Sequence, residues 1–168
     1  MTEKQKTVAR AVFTVYVFLL AWLVLLKFAL PQEWRYLVSS RRVELIPFAV
    51  RETGLKDTVE EMFANCAVFV PLGAYLAAFF PDRGFLFPVA AGFLTSLVFE
   101  IAQFAFAIGA ADVTDLIMNT AGAAIGVLIF RLLRRLLRQR AVTFMNALGI
   151  AAEALFVGGL TILLLYNR

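Results

Sequence analysis

Five polar or acidic side chains interrupt one of the most apolar stretches of the chain, residues 99–126: Glu100, Gln103, Asp112, Asp115 and Asn119. An ionisable group at membrane depth is costly, so a glutamate there indicates a functional site by default. Two carboxylates in a low-dielectric site can act as an acid–base or metal-binding pair, because such surroundings tune their protonation toward neutral pH. Glu100 and Asp115 are the candidates for that chemistry.

The sequence from Asp112 onward is typical of a helix start. Asp112 or Thr114 can accept the unpaired N–H groups of a first turn, and acidic residues suit the positive end of the helix dipole. Asp115, Asn119, Gly122 and Gly126 then fall on one stripe of the helix that follows. The spacing of the two glycines predicts that a neighbouring helix packs closely there.

Polar residues of three predicted helices lie at similar depths in the membrane. Glu100 and Gln103 are three residues apart and share a helix face. At a rise of about 1.5 Å per residue, Glu100, Asn119 and Asn65 lie at overlapping depths toward the outer end of their helices. We therefore predict a binding site there, to which the long connection adds two arginines: Asn65, Glu100, Gln103, Asp112, Asp115, Asn119, Arg41 and Arg42. The alternative is a hydrogen-bond network that only holds the helices together.

Composition places these residues in a membrane protein. Of the 168 residues, 62% are hydrophobic and the mean hydropathy is +0.84, and the apolar runs approach twenty residues, the length of a transmembrane helix. We predict an all-α polytopic bundle that forms a single integral-membrane domain over residues 1–168. Its spans are about 11–30, 59–80, 85–108, 115–130 and 142–166.

The distribution of lysine and arginine predicts the topology. With the N-terminus inside, the cytoplasmic side receives the arginine-rich segment 131–141, which we interpret as a basic linker, and the C-terminus lies outside. Arg131, Arg134, Arg135 and Arg138 recur at helical spacing, which fits either a cytoplasmic anchor or a surface that binds lipid headgroups.

Several function classes are excluded or disfavoured. The net charge of +4 is better explained by topology and lipid headgroups than by nucleic acid. The chain has no histidine, so Ser-His-Asp and Cys-His catalysis and histidine metal sites are excluded. Its single cysteine, Cys66, cannot form an internal disulfide. We expect no metal and no cofactor.

Taken in order and spacing, four motifs resemble the VanZ-like family, which is named after a bacterial glycopeptide (teicoplanin) resistance protein: Val43-Glu-Leu-Ile-Pro-Phe48, Asn65 with Phe69-Val-Pro-Leu-Gly73, Glu100-x-x-Gln103, and Asp112-Val-Thr-Asp115-x-x-x-Asn119-Thr-x-Gly122. The resemblance covers a four-helix core, residues 12–130, and leaves the helix at 142–166 as an addition. Ala110 stands where the family commonly has an arginine, for which Arg41, Arg42 or Arg51 could substitute.

The resemblance implies a multi-pass protein of the bacterial plasma membrane and the cell envelope. Three functions remain open. The first is a non-enzymatic protein that binds membrane lipids or a lipid-linked wall precursor and contributes to glycopeptide resistance. The second is a membrane enzyme that uses Glu100 and Asp115 on a lipid-linked substrate. The third is a small lipid or proton-coupled transporter that uses Glu100 or Glu153.

Overall fold

The computed structural model describes residues 1–26, 42–50 and 54–166, which form a helical bundle. Its elements in chain order are α1 (Glu3–Leu26), β1 (Arg42–Glu44), α2 (Leu55–Phe79), α3 (Leu86–Phe106), β2 (Ala110–Asp112), α4 (Val113–Leu137) and α5 (Ala141–Tyr166). A single 3₁₀ turn, Arg138–Arg140, joins the last two helices. The predicted all-α class is confirmed, with two strands of three residues as the exception.

Membrane spanning is supported by the length and composition of the helices. In the described ranges, 4 helical stretches are long and apolar enough to cross a membrane: Glu3–Leu25, Leu55–Phe79, Leu86–Phe106 and Val113–Tyr166. The last stretch is 54 residues long and contains both α4 and α5. Large apolar side chains such as Phe18, Phe106 and Leu155 are more than two-thirds exposed, as expected of a surface that faces lipid.

The tightest helix contact is between α2 and α4. A Cβ added to Gly122 would collide with the carbonyl oxygen of Cys66, and one added to Gly126 would collide with that of Val70. Lipid tails are as apolar as leucine, so close backbone packing rather than apolar burial holds such helices together. Both glycines of the predicted packing pair therefore lie where α2 and α4 touch.

Two apolar clusters complete the packing. One joins α1, α2 and α3 through Leu20, Val24, Phe69, Leu72 and Phe99. The other lies nearer the α4–α5 turn, and hydrogen bonds fasten α5 beside it. There the Tyr75 hydroxyl donates to Asn146 Oδ1 at 3.3 Å, and Asn146 Nδ2 donates to the carbonyl of Gln5 at 3.4 Å.

The element bounds differ from the predicted ones in three places. Helix α1 begins at Glu3, because its polar first turns are helical too, whereas residues 27–30 of the predicted span lie outside the described residues. Helix α4 continues to Leu137, so most of the basic segment 131–141 is helix rather than connection. Residues Arg42–Glu44, part of the predicted long connection, form a strand that pairs with β2.

Candidate binding site

A short parallel ladder joins the loop after α3 to the segment before α2. The register pairs are Arg42 with Ala110, Val43 with Ala111, and Glu44 with Asp112. Strands of this length are not stable alone, but β2 runs directly into α4 and is anchored by it. The ladder therefore holds residues 42–48 against the start of α4.

A chain of hydrogen bonds fixes the entry into α4. The backbone N–H of Asp112 donates to Glu100 Oε2 at 2.8 Å, and Asp112 Oδ1 accepts from the N–H of Thr114 at 2.7 Å. Thr114 Oγ1 in turn accepts from the backbone N–H of Phe48 at 3.0 Å. Glu100, Asp112 and Thr114 are all buried. Of the two candidate caps, Asp112 is thus the one that caps α4, and Glu100 ties that cap to α3.

Two buried amides lie on the same half of the bundle. Gln103 Nε2 donates to the carbonyl of Val24 at 2.9 Å, and Asn119 Nδ2 donates to Ser96 Oγ at 2.9 Å. Their side chains are 1% and 0% exposed, and neither Gln103 Oε1 nor Asn119 Oδ1 has a hydrogen-bond partner in the described part of the chain. A buried acceptor without a partner costs about 1–3 kcal/mol. A ligand or water that donates to these oxygens would recover that cost.

A groove with almost wholly apolar walls opens beside Glu100 and Asp112. It has a volume of about 240 Å³, and we call it the apolar groove: its other lining residues are Val43, Leu97, Ile101, Phe104, Ala111, Val113 and Leu116. Val43 and Ala111, a register pair of the ladder, form one wall. Ile101 and Phe104 are exposed on the surface of α3, so the groove is accessible from the side of the bundle.

A second, much smaller recess lies on the other side of Asp112. This acidic recess is lined by Ala49, Thr58, Glu61, Met62, Asp112, Thr114 and Asp115. It brings three carboxylates to one place, and Glu44 lies opposite Asp112 in the ladder. In the described ranges no group of three or more Asp, Glu, His or Cys side chains is placed to hold a metal ion. Neighbouring carboxylates can instead accept hydrogen bonds.

The remaining predicted residues have different positions. Asn65 is half-buried on α2, one turn after Glu61, and makes no hydrogen bond to the others among the described residues. Arg42 is exposed in β1 directly opposite Ala110, so one of the three possible substitutes for the family arginine lies beside that position. Arg41, like Arg51, lies outside the described residues.

Sequence reasoning missed Glu61, Ser96 and Glu44 as neighbours of this site. Glu61 stands four residues before Asn65, and that spacing places both on one face of α2. Ser96 is four residues before Glu100 on α3 in the same way. Glu44 has no such signal, because only the pairing of β1 with β2 brings it to Asp112.

The comparisons with known proteins identify the family of this chain. The family model described as VanZ/LLP1 matches residues 13–134. Protein VanZ of Enterococcus faecium is 36% identical over 135 residues, which is 80% of this chain and 81% of that protein. No solved structure gives a significant match. The matched region contains the ladder, the buried amides and the contact between α2 and α4, and the chain belongs to the VanZ/LLP1 family.

Proposed function

We propose that this chain is a VanZ-like protein of the bacterial plasma membrane that binds a lipid-linked cell-wall precursor, or a lipid headgroup, and so contributes to resistance to teicoplanin-type glycopeptides. One observation carries the proposal. Two buried amide oxygens that have no hydrogen-bond partner among the described residues, Gln103 Oε1 and Asn119 Oδ1, lie in the same half of the bundle as the apolar groove, although neither residue lines it. A ligand that combines hydrogen-bond donors with a long apolar chain fits both features.

The polar side chains of the site favour a ligand that carries hydrogen-bond donors over a bare anion. Glu61, Asp112 and Asp115 line one recess, and their charges repel phosphate. Carboxylate and amide oxygens accept from hydroxyl, amide and ammonium groups. The sugar and peptide portion of a wall precursor is rich in these groups. Its phosphates fit better near the exposed guanidinium of Arg42, at the edge of the site.

The apolar groove accounts for the lipid part of such a ligand. Its walls are almost wholly apolar, and Ile101 and Phe104 border it on the exposed face of α3. An apolar chain could therefore enter from the bilayer without crossing water, and its contribution to binding would come from packing against the groove walls rather than from leaving water. Glu100 and Asp112 lie where the groove meets the polar side chains. This position suits the junction between the apolar chain and the polar headgroup of the ligand.

The proposed topology places this site at the outer surface. The opposite end of α4 carries Arg131, Arg134 and Arg135, and an excess of arginine in a short segment favours the cytoplasmic side. A precursor held at the outer end would be the form that glycopeptides bind. Occupancy by this protein would then compete with the antibiotic for its target.

The two amides give a direct test in cells. In a strain made resistant by the wild-type chain, Gln103→Met with Asn119→Leu removes both unpartnered acceptors and keeps similar side-chain volumes. We expect teicoplanin sensitivity and labelled-glycopeptide binding to return to the levels of a strain without the gene. The matched control is Asn146→Leu, which removes a buried amide at the other end of the bundle and should keep resistance.

Protein abundance in the membrane is measured in parallel for all strains. Full resistance in the double variant at normal abundance would contradict the proposal, as would unchanged glycopeptide binding when the wild-type gene is removed.

One second candidate is a membrane enzyme in which Glu100 and Asp115 exchange protons with a lipid-linked substrate. Glu100 lines the apolar groove, Asp115 lines the acidic recess, and Asp112 lines both. Asp115 shares the recess with Glu61 and Asp112, and such groups can divide into an acid and a base. Glu100→Gln and Asp115→Asn keep hydrogen-bonding oxygens but remove proton transfer. Resistance that survives both changes supports binding, whereas its loss in folded protein supports catalysis.

A further inference from the structure

A larger cavity lies at the opposite end of the bundle, where α4 turns into α5. Its volume is about 420 Å³, and it combines charged and apolar walls: Arg134, Arg138, Gln139, Ala78, Phe130 and Val142. The binding site proposed above lies at the other end of α4 and shares none of these residues. We call this space the basic cavity.

Its two arginines, Arg134 and Arg138, are four residues apart. No ion pair joins Arg134 or Arg138 to a carboxylate in the described part of the chain, and both side chains are exposed. Two nearby arginines are placed differently. Arg131 lies over the ring of Phe85 at 5.5 Å, and Arg83 lies over the ring of Phe87 at 5.7 Å. The guanidinium groups of the cavity are thus available to a ligand.

The backbone at Arg138 is a second observation. Its φ is 49° and its ψ is −118°, a combination that glycine adopts readily and other residues avoid. Positive charge at the end of α4 would suit the helix dipole at many positions. Among the described non-glycine residues with a positive φ, which are Phe48, Ala107 and Arg138, Arg138 is the one that lines the basic cavity.

We infer that the basic cavity binds the headgroup of an anionic phospholipid. Guanidinium groups form paired hydrogen bonds with phosphate oxygens, and Ala78, Phe130 and Val142 offer apolar surface beside them. The cavity also lies at the ends of membrane-spanning helices, the depth at which headgroups occur. Basic pockets between such helices are typical sites for anionic lipids.

The test uses the full-length chain in a neutral detergent, with lipid binding counted by native mass spectrometry and the melting temperature measured in parallel. Dioleoylphosphatidylglycerol should bind and raise the melting temperature, whereas the phosphatidylcholine with the same chains should do neither. Inorganic phosphate at the same concentration should have little effect. Stabilisation by free phosphate equal to that by phosphatidylglycerol would overturn the lipid assignment.

Matched arginine variants distinguish lipid binding in the basic cavity from a general effect of positive charge. Arg134→Gln should weaken phosphatidylglycerol binding roughly tenfold, whereas Arg135→Gln, outside the cavity, should leave binding within about twofold. Equal losses in the two variants would show that only total charge matters and would overturn the proposal.

Arg138→Gly supplies a second, independent readout. Because it relieves the positive φ, it should raise the melting temperature without lipid, and yet it should weaken phosphatidylglycerol binding. Arg138→Lys keeps the positive charge and should retain part of the binding. A more stable Arg138→Gly protein that binds phosphatidylglycerol as tightly as wild type would overturn the proposal.

Discussion

The two ends of α4 show how one helix places charge for two different purposes. At its N-terminal end Asp112 and Asp115 are only 5% and 6% exposed, whereas Arg134 and Arg135 in its last turn are exposed. Both arrangements suit the helix dipole. The dipole therefore does not explain why one end is buried and the other is not.

The difference lies in what each set of side chains contacts. The acidic end is built into the fold, because Glu100 and Asp112 accept backbone N–H groups and the neighbouring glycines bring α2 against α4. At the basic end, Arg131 contacts the ring of Phe85 and Arg134 lines the basic cavity. Substitutions at the acidic end should lower the stability of the protein, and most of those at the basic end should not.

The largest effect is expected where the acidic half of α4 meets α2. Gly122→Ala places a Cβ against the carbonyl of Cys66, so the helices must separate and the free energy of unfolding should fall by about 3 kcal/mol or more. Unfolding of detergent-solubilised protein measures this. In Gly159→Ala the added Cβ meets nothing within 4 Å, so stability should stay the same or rise by up to about 1 kcal/mol. Equal losses at both glycines would show that the close contact is unimportant.

The next largest effect distinguishes the hydrogen bond that Glu100 accepts from the negative charge that it carries. Glu100→Ala removes the acceptor of the Asp112 N–H and should lower the free energy of unfolding by about 1–3 kcal/mol. Glu100→Gln keeps an oxygen at that place and should cost much less. Thermal unfolding of the two variants side by side tests this. If Gln destabilised as much as Ala, the negative charge rather than the hydrogen bond would be what matters.

A smaller change is expected from the helix cap itself. Asp112→Ala leaves the N–H of Thr114 without its acceptor and should lower the free energy of unfolding by about 1 kcal/mol. Asp112→Asn can still cap and should be close to wild type. Hydrogen exchange of the first turn of α4 would locate the effect. Fast exchange in the Asn variant would argue against capping as the role of Asp112.

The smallest effect is expected at the basic end. Arg131→Ala removes the guanidinium above Phe85, an exposed contact of about 0.5–1 kcal/mol. The same unfolding assay should therefore show a shift near its detection limit. A loss as large as that of Gly122→Ala would contradict the view that the basic end is structurally tolerant.

The helices, the start of α4 and the glycine packing stripe could be predicted from the sequence, because hydropathy and helical spacing determine them. The long apolar runs predicted the helices, and Asp112-Val-Thr-Asp115 predicted the start of α4. Capping acts within one turn, so local sequence is sufficient to indicate it. The stripe of Gly122 and Gly126 likewise needs only the helical period.

Contacts between distant segments could not be predicted in this way. Strands of three residues have no measurable periodicity, so nothing indicated that Arg42–Glu44 pairs with Ala110–Asp112. The bond from Gln103 to the carbonyl of Val24 depends on how α1 packs against α3. The arginines at the end of α4 recur at helical spacing in the sequence. That spacing alone does not show whether the segment continues the helix or forms a basic connection.

The central claim is that Gln103 and Asn119 bind a lipid-linked wall precursor, and direct binding tests it best. The wild-type chain and the Asn146→Leu control, in phosphatidylcholine nanodiscs, should bind a fluorescent lipid-linked precursor saturably and with equal affinity. Gln103→Met with Asn119→Leu should bind it at least tenfold more weakly, as expected for two lost hydrogen bonds. Equal affinity in a double variant of unchanged thermal stability would contradict the account.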